Sequence, residues 1–412
     1  MGDHDILKIQ CFQSNYFPSL SDLMALWKKE KLEENEDWGD PEPFRCSYNA
    51  KQYILKFFEE TENLDLYDPV IFGYIYQEII SVQEKKKNGI FYTPVSISKY
   101  MSGLVQNDHI TTCLDPACGA GSLLCSYYDQ IIESVSVDQQ EVRHQQMLQN
   151  ELWGFDTDPL AVIMTKLSLA LRGNTYCYPS HIMRGDALMS NLLQENKFDL
   201  ILGNPPYMGH KQIEKERMVI LRKKYNEVYG DKGDLSYCFF GLAYHCLRSE
   251  GQCVFLVSRY FIEAQNGKRL RHFLEMNTDI VSIVDYNGHR PFYGVGIDPL
   301  IIVFRKRKNF QKIQITKYPI PLPSKQEPFK KNPEMFFVNQ NQLDADAWHL
   351  HDPNTQEIIS KIRKKTNIYL SDLAQSFQGI ITGRDRVFVM DEEKRKQEKI
   401  NMHWAVPWIK NK

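Results

Sequence analysis

Asp199-Leu200-Ile201-Leu202-Gly203-Asn204-Pro205-Pro206-Tyr207 is the stretch from which the fold is read. A strand-length segment, Phe198 to Gly203, apolar without a break from Leu200 to Leu202, ends in a polar tip. Its apolar residues are consecutive, as in a strand covered on both faces. In open α/β sheets the ligand crevice lies outside the carboxyl ends of strands, so a tip of this kind stands where a site belongs. Pro205 and Pro206 have no N–H and a fixed φ, which stiffens the turn. Proline also pushes its predecessor out of the helical region. The Pro205 carbonyl and the Asn204 side-chain oxygen are two acceptors, and Tyr207 is an aromatic platform. That set suits a planar ring carrying an exocyclic amino group. On these residues alone, a plain surface turn is the other reading.

Outward from this strand, strand and helix patterns alternate. Thr111 to Asp115, Glu151 to Asp156, Gln252 to Ser258, Ile280 to Tyr286 and Pro299 to Arg305 read as further strands. Gly121 to Ser134, Pro159 to Arg172, Leu235 to Arg248 and Gly267 to Met276 read as helices between them. Such alternation predicts an α/β fold, a mostly parallel sheet with helices on both faces. The domain spans 67–307. Before it, 1–66 reads as an N-terminal helical extension, with an amphipathic stretch at Leu20 to Leu32 and an acidic, breaker-rich loop at Glu33 to Pro41. After it, 308–366 reads as a basic linker and the start of a second domain. Its first part is dense in Lys and Arg and holds Pro319, Pro321 and Pro323.

Three more strand tips carry chemistry. Leu114-Asp115-Pro116-Ala117-Cys118-Gly119-Ala120-Gly121-Ser122-Leu123 ends a strand in an acid and opens a helix through small residues. Gly119 and Gly121 permit a tight turn and close backbone approach. The dinucleotide fingerprint wants a third glycine where Leu124 stands, which argues against a pyrophosphate cofactor. A cofactor with an amino-acid tail fits better, its ammonium meeting Asp115. Gly154-Phe155-Asp156-Thr157-Asp158-Pro159 ends a second strand in an acid able to accept from two ribose hydroxyls. Asp158 reads as the cap of the helix opened by Pro159. Arg184-Gly185-Asp186-Ala187-Leu188 follows His181 to Met183 as a fourth polar tip, or as a capped turn.

Composition sets the bounds. The chain has 412 residues, 42% hydrophobic and 25% charged, close to an ordinary globular protein. Its formal charge of −2 is silent on nucleic acid, so any basic surface is local. One candidate is the run holding Lys211, Lys215, Arg217, Arg222, Lys223 and Lys224, either a phosphate contact or a solvated helix face. Nine cysteines form no CxxC and no metal-ligand spacing, so no metal is expected and the thiols read as reduced and cytoplasmic. No apolar run approaches the roughly 20 residues of a membrane span, and the polar start is neither a signal nor a transit peptide.

Taken jointly and in this order, the tips resemble the N6-adenine DNA methyltransferases that use S-adenosyl-L-methionine, in the gamma motif order. The surrounding sequence, with Gly230 to Leu235 and Ser258 to Phe261, is similar to the type IIG and orphan bacterial branch. The resemblance covers about residues 68 to 307 and again 367 to 390. It implies a Rossmann-like methyltransferase fold. Phe91-Tyr92-Thr93-Pro94 resembles the upstream cofactor motif. By the resemblance, Tyr92, Thr93, Asp115, Ala117, Cys118, Gly119, Gly121, Asp156, Thr157 and Asp186 line the cofactor site. Asn204, Pro205, Pro206 and Tyr207 are the catalytic tip. Tyr207 and Phe292 hold the target base from its two sides.

The activity so implied is methylation of the N6 amino group of an adenine flipped out of double-stranded DNA, placed in a bacterial cell. The alternatives are a methyltransferase acting on RNA or protein glutamine, or the modification part of a restriction–modification or phage-defence complex with little activity alone. Leu370 to Gly383 resembles the opening of a target-recognition domain, so 367–412 is expected as a partial, truncated one. Recognition would then come from a separate specificity or recognition subunit or from the rest of a longer protein, the other reading being a compact reader made from 308–412. No convincing nuclease pattern is seen in 1–66.

Overall fold

The computed structural model describes residues 73, 93–106, 110–170, 172–173, 177–230, 232–289, 297–307, 312–319, 332–343, 346–366, 368–375 and 389–404. The extension 1–66, Tyr92 and Phe292 lie outside the described residues. The chain divides after Pro353 into two units.

The first unit is built on a nine-stranded sheet in the order β3-β2-β1-β4-β5-β7-β6-β8-β9. The strands are β1 (Cys113–Asp115), β2 (Leu152–Asp156), β3 (His181–Arg184), β4 (Phe198–Gly203), β5 (Leu247–Ser258), β6 (Asp279–Asp285), β7 (Pro299–Arg305), β8 (Lys312–Lys317) and β9 (Glu334–Asn339). β3, β2, β1, β4 and β5 run parallel. β7 enters antiparallel between β5 and β6, and β9 pairs antiparallel with β8. The main helices are α1 (Val95–Gly103), α2 (Ser122–Glu133), α3 (Val137–Gln146), α4 (Pro159–Ala170), α5 (Lys215–Lys224), α6 (Ser236–Cys246) and α7 (Lys268–Asn277).

Successive strand residues point to opposite faces, and the core divides accordingly. Leu200 and Leu202 of β4, with Val254 and Leu256 of β5, join a cluster holding Leu123 and Leu124 of α2. Ile201, Cys253, Phe255 and Val257 join the other, with Phe239 and Phe240 of α6. Both faces are covered, which is why the central strands read as unbroken apolar runs.

Every strand and helix expected between 111 and 305 is present, with ends shifted by a few residues. The largest shift is in β5, which begins at Leu247. α3 was not legible: its sequence is polar, and only His144 is buried. The stretch 308–366, expected as a linker opening a second domain, instead gives β8 and β9 to the same sheet. Ile313 and Ile315 of β8, and Phe336 and Val338 of β9, are buried in alternation. That short period-two signal is obscured by the lysines around it, which suit the edge of a sheet.

In the second unit, residues 354–412, the helix α8 (Pro353–Lys365) opens the segment and buries none of its described residues. A short helix, Glu392–Gln397, is capped by Asp391, whose Oδ1 accepts the Lys394 N–H at 2.8 Å. Of the 370–383 stretch expected to open a recognition domain, 376–383 lies outside the described residues. Among the described residues, no helix is long and apolar enough to cross a membrane.

Candidate active site

Strand order locates the site. From β1 the chain builds outward through β2 and β3, then returns to β1's other side for β4 and β5. The reversal falls between β1 and β4, where a crevice opens beyond the strand ends. The four polar tips found in the sequence follow β3, β2, β1 and β4, which are consecutive neighbours in the sheet.

The turn after β1 is laced to the tip of β2. The Cys118 N–H donates to the Phe155 carbonyl at 2.8 Å. The Gly119 N–H donates to Asp156 Oδ2, also at 2.8 Å. Gly119 and Gly121 have φ of +54° and +84°, values that disfavour any side chain. A Cβ on Gly119 would meet nothing within 4 Å, so φ alone requires glycine there and the turn faces open space. At Gly121 space matters too, since a Cβ would lie 3.0 Å from the Thr165 methyl. Thr165 of α4 donates its hydroxyl to the Gly119 carbonyl at 2.7 Å. The turn is therefore held from both sides. Ala117 is half-buried on it, and the Cys118 side chain lies in the core, where burial pushes its thiol well up.

Two acids meet at this turn. Asp115 is fully buried and accepts the Ala117 N–H at 3.1 Å. Burial pushes its carboxyl up to about 8; the Ala117 bond opposes this and the charge of Asp156 adds to it. Asp156 accepts from Gly119 on Oδ2 and from the Asp158 N–H on Oδ1 at 2.9 Å. Burial raises it to about 6, against those two bonds. Thr157 is exposed, and Asp158 caps α4 by accepting the Leu160 N–H at 2.9 Å.

After β3, Asp186 accepts the Leu188 N–H on Oδ1 at 3.0 Å. Its Oδ2 accepts from Arg217 of α5 at 2.8 Å. No local pattern announced this pair: Arg217 belongs to the basic run read as a phosphate contact or a solvated face.

The tip after β4 is tied to its surroundings by side chains. Asn204 Nδ2 donates to Thr93 Oγ1 at 3.1 Å. Thr93 is held in turn by its carbonyl, which accepts from Ser122 Oγ at 2.7 Å. The Tyr207 hydroxyl donates to Asn204 Oδ1 at 2.7 Å and lies 3.3 Å from the Leu256 carbonyl of β5. Pro205 is buried between them. Tyr207, expected as an aromatic platform, is largely buried, and its hydroxyl orients Asn204. It also lines a cleft of about 470 Å³ shared with His210, Asp234, Tyr237, Ser258 and Tyr260. Such a volume lies within the range of small-molecule sites. Asp234 accepts the Ser236 N–H at 2.9 Å at the start of α6 and bridges to Gly209 just past the tip.

Sequence reasoning assigned no role to Thr165, Ser122 or Asp234, and did not pair Arg217 with Asp186. Thr165 had one faint signal, a hydroxyl in a helix that is mostly apolar and buried. Of the six basic positions after the tip, Lys211, Lys215, Arg222 and Lys223 are exposed, while Arg217 and Lys224 turn inward onto residues 186–188. Among the described residues, no group of His, Cys, Asp and Glu is placed to hold a metal ion.

A family model described as N-6 DNA Methylase matches residues 68–374. The chain is similar to the type II methyltransferase M.VspI of a Vibrio species, 28% identical over 328 residues, covering 77% of this chain and 70% of that enzyme. It is 23% identical to the type II methyltransferase M.HindII of Haemophilus influenzae, covering 74% of this chain but only 55% of that enzyme. Among solved structures, a modification subunit of a putative type I restriction enzyme from Vibrio vulnificus superposes with a TM-score of 0.56 at 16% identity, over 74% of this chain and 70% of that one. At that identity the likeness speaks for the fold.

Proposed function

We propose, from the premise that this chain belongs to the N-6 DNA methylase family, that it methylates the N6 amino group of adenine in double-stranded DNA with S-adenosylmethionine as donor. The observation that carries the reading is the Asn204 side chain, held between Thr93 and Tyr207 at the β4 tip.

That pair of bonds decides which end of the amide is which. The Nδ2 end meets Thr93, so Oδ1 faces Tyr207. An amide oxygen has two acceptor sites, and the tyrosine hydroxyl uses one. The same oxygen is proposed to accept a hydrogen of the target amino group. The Pro205 carbonyl is the second acceptor of the proposal. Adenine's amino nitrogen is a poor nucleophile because its lone pair is delocalised into the ring. Accepting both amino hydrogens favours a pyramidal nitrogen with a localised pair. Held groups of this kind act through positioning and preorganised electrostatics.

The base must leave the duplex to reach such a tip, at a cost of a few kcal/mol. Stacking on an aromatic ring returns about 1–3 kcal/mol. The Tyr207 ring in the cleft wall is suited to that, with Phe292 proposed on the other side.

The turn after β1 suits the donor. S-adenosylmethionine, when bound, supplies an electrophilic methyl group on a sulfonium. Open space over Gly119 leaves room for close approach, and two carboxyls, Asp115 buried and Asp156 half-buried, suit a cationic, hydroxyl-rich ligand. Asp115 would meet the ammonium, Asp156 the ribose and Asp186 the adenine. Thr93, Ala117, Gly121 and Thr157 would complete the wall with Tyr92.

We place sequence readout outside the nine-stranded sheet, in a recognition domain or a separate subunit. Radiolabelled cofactor offered with DNA, RNA and protein acceptors tests the whole reading. Label is expected in DNA, as N6-methyladenine on digestion and mass spectrometry. Methylcytosine alone, or label only in RNA or protein, would overturn it.

A further inference from the structure

We propose that Arg217 is a positioning residue for the cofactor: by pinning Asp186 Oδ2 it sets the carboxylate that selects an adenine ring, and it ties that selection to the helix following the catalytic tip. The proposal rests on Asp186 being the adenine-binding acid.

The geometry is a clamp. Asp186 is held on both oxygens, by the Leu188 N–H at 3.0 Å and by Arg217 at 2.8 Å. A carboxylate has about four lone-pair sites, so each oxygen keeps one for a ligand donor. With only the Leu188 bond, the group is free to turn about its last torsion. The Arg217 bond removes that freedom. One helical face supplies the rest of the clamp. Lys224, seven residues after Arg217, donates to the Leu188 carbonyl at 2.7 Å, and the Tyr225 hydroxyl donates to the same oxygen at 2.9 Å. α5 thus grips residues 186–188 at both of its ends.

The guanidinium is not placed for its own sake. Its Nε is buried and has no hydrogen-bond partner among the described residues. Buried donors left unpaired are rare and ask for a reason. An arginine that served only to dock α5 would be expected to satisfy all its donors or leave them to solvent. Arg217 is half-buried against Asp186, unlike the exposed Lys211, Lys215 and Lys223 on the same segment.

Calorimetry on the full chain tests this with two probes, S-adenosylhomocysteine and its inosine analogue, which carries oxygen where adenine carries the amino group. The parent protein is expected to prefer the adenosyl ligand, and Asp186→Asn to lose that preference. Arg217→Gln should weaken the adenosyl ligand about tenfold, the scale of disturbing a charge-assisted hydrogen bond. The inosyl ligand should be nearly unaffected. Arg217→Lys, which keeps the charge, should recover part of the loss, and it decides the matter if the glutamine variant does not fold. The salt slope of DNA binding should not change in either variant. Preference lost in Asp186→Asn but kept in both Arg217 variants overturns the proposal alone. Equal weakening of both ligands reduces Arg217 to a structural strut and overturns it as well. Preference kept in Asp186→Asn removes the assignment of Asp186, and the proposal falls with it.

Discussion

Tyr207 donates its hydroxyl to Oδ1 of Asn204 at 2.7 Å, so the aromatic residue of the tip orients the amide three positions before it. Burial pushes the phenol far above its ordinary range, which keeps it a donor throughout the working pH range. Tyr207→Phe keeps the ring and removes only this bond. Turnover is expected to fall about tenfold, as for a neutral hydrogen bond of roughly 1 kcal/mol or slightly more. Cofactor affinity should hold. Steady-state kinetics with a DNA substrate checks this, and unchanged kcat would show that Asn204 needs no such support.

Asn204 and Asp156 should separate catalysis from binding. Asn204→Ala is expected to abolish nearly all turnover while cofactor binding stays within a few-fold, because its Oδ1 is proposed to accept from the base. Asp156→Ala should weaken cofactor binding most, and it also strips the bonds that Gly119 and Asp158 make to the carboxylate. Calorimetry of both variants giving the reverse pattern would exchange the two roles.

Asp115 makes the site pH-sensitive. Its folded value, about 8, lies above its ordinary 3.8. A raised carboxyl contributes stability that is full below the unfolded value and is lost as pH rises through the folded one. Without ligand, the protein should therefore lose stability between about pH 4 and 8. A cationic ligand favours the ionised form, so cofactor affinity should rise over the upper part of that window. Asp115→Asn should flatten both trends and raise the melting temperature at pH 8. Thermal unfolding across pH, with and without S-adenosylhomocysteine, reads both. An unchanged pH profile in the variant would defeat the assignment.

The glycine turn depends on Gly121 for conformation and room. Gly121→Ala places a Cβ 3.0 Å from Thr165 at a φ of +84°. The left-handed backbone alone costs about 1–2 kcal/mol, so stability and cofactor affinity should both fall. Thr165→Val should leave φ unstrained but orphan the Gly119 carbonyl, costing about 1–3 kcal/mol. Denaturant unfolding of the two variants is the measurement; wild-type midpoints in both would mean that the turn is looser than its bonds suggest.

Lys211, Lys215 and Lys223 are exposed beyond the tip. Changing all three to Gln should flatten the dependence of DNA affinity on salt, by up to about 0.9 logarithmic units for each phosphate no longer neutralised. An unchanged slope and affinity would make this a solvated face.

What was legible in the sequence was whatever repeats locally. Unbroken apolar runs such as Leu200 to Leu202 mark strands covered on both faces, and the strands end at polar residues: Asp115, Asp156, Asn204. Strand identity and the polar tips follow from that contrast, because burial and hydrogen bonding act on neighbours in the chain. Glycine at 119 and 121 was readable for the same reason, since a left-handed φ is a local property of the backbone. Only the tertiary structure decided which tips stand side by side and what each side chain holds. β8 and β9 joined the sheet through two short alternations hidden among lysines. Tyr207 turned inward onto Asn204, Thr165 reached the Gly119 carbonyl from another helix, and Arg217 left a run of solvent-seeking cations to pair with Asp186. These bonds join residues 3, 46 and 31 positions apart. The two longer ones depend on how helices pack across the sheet, a relation that no local pattern of residues records.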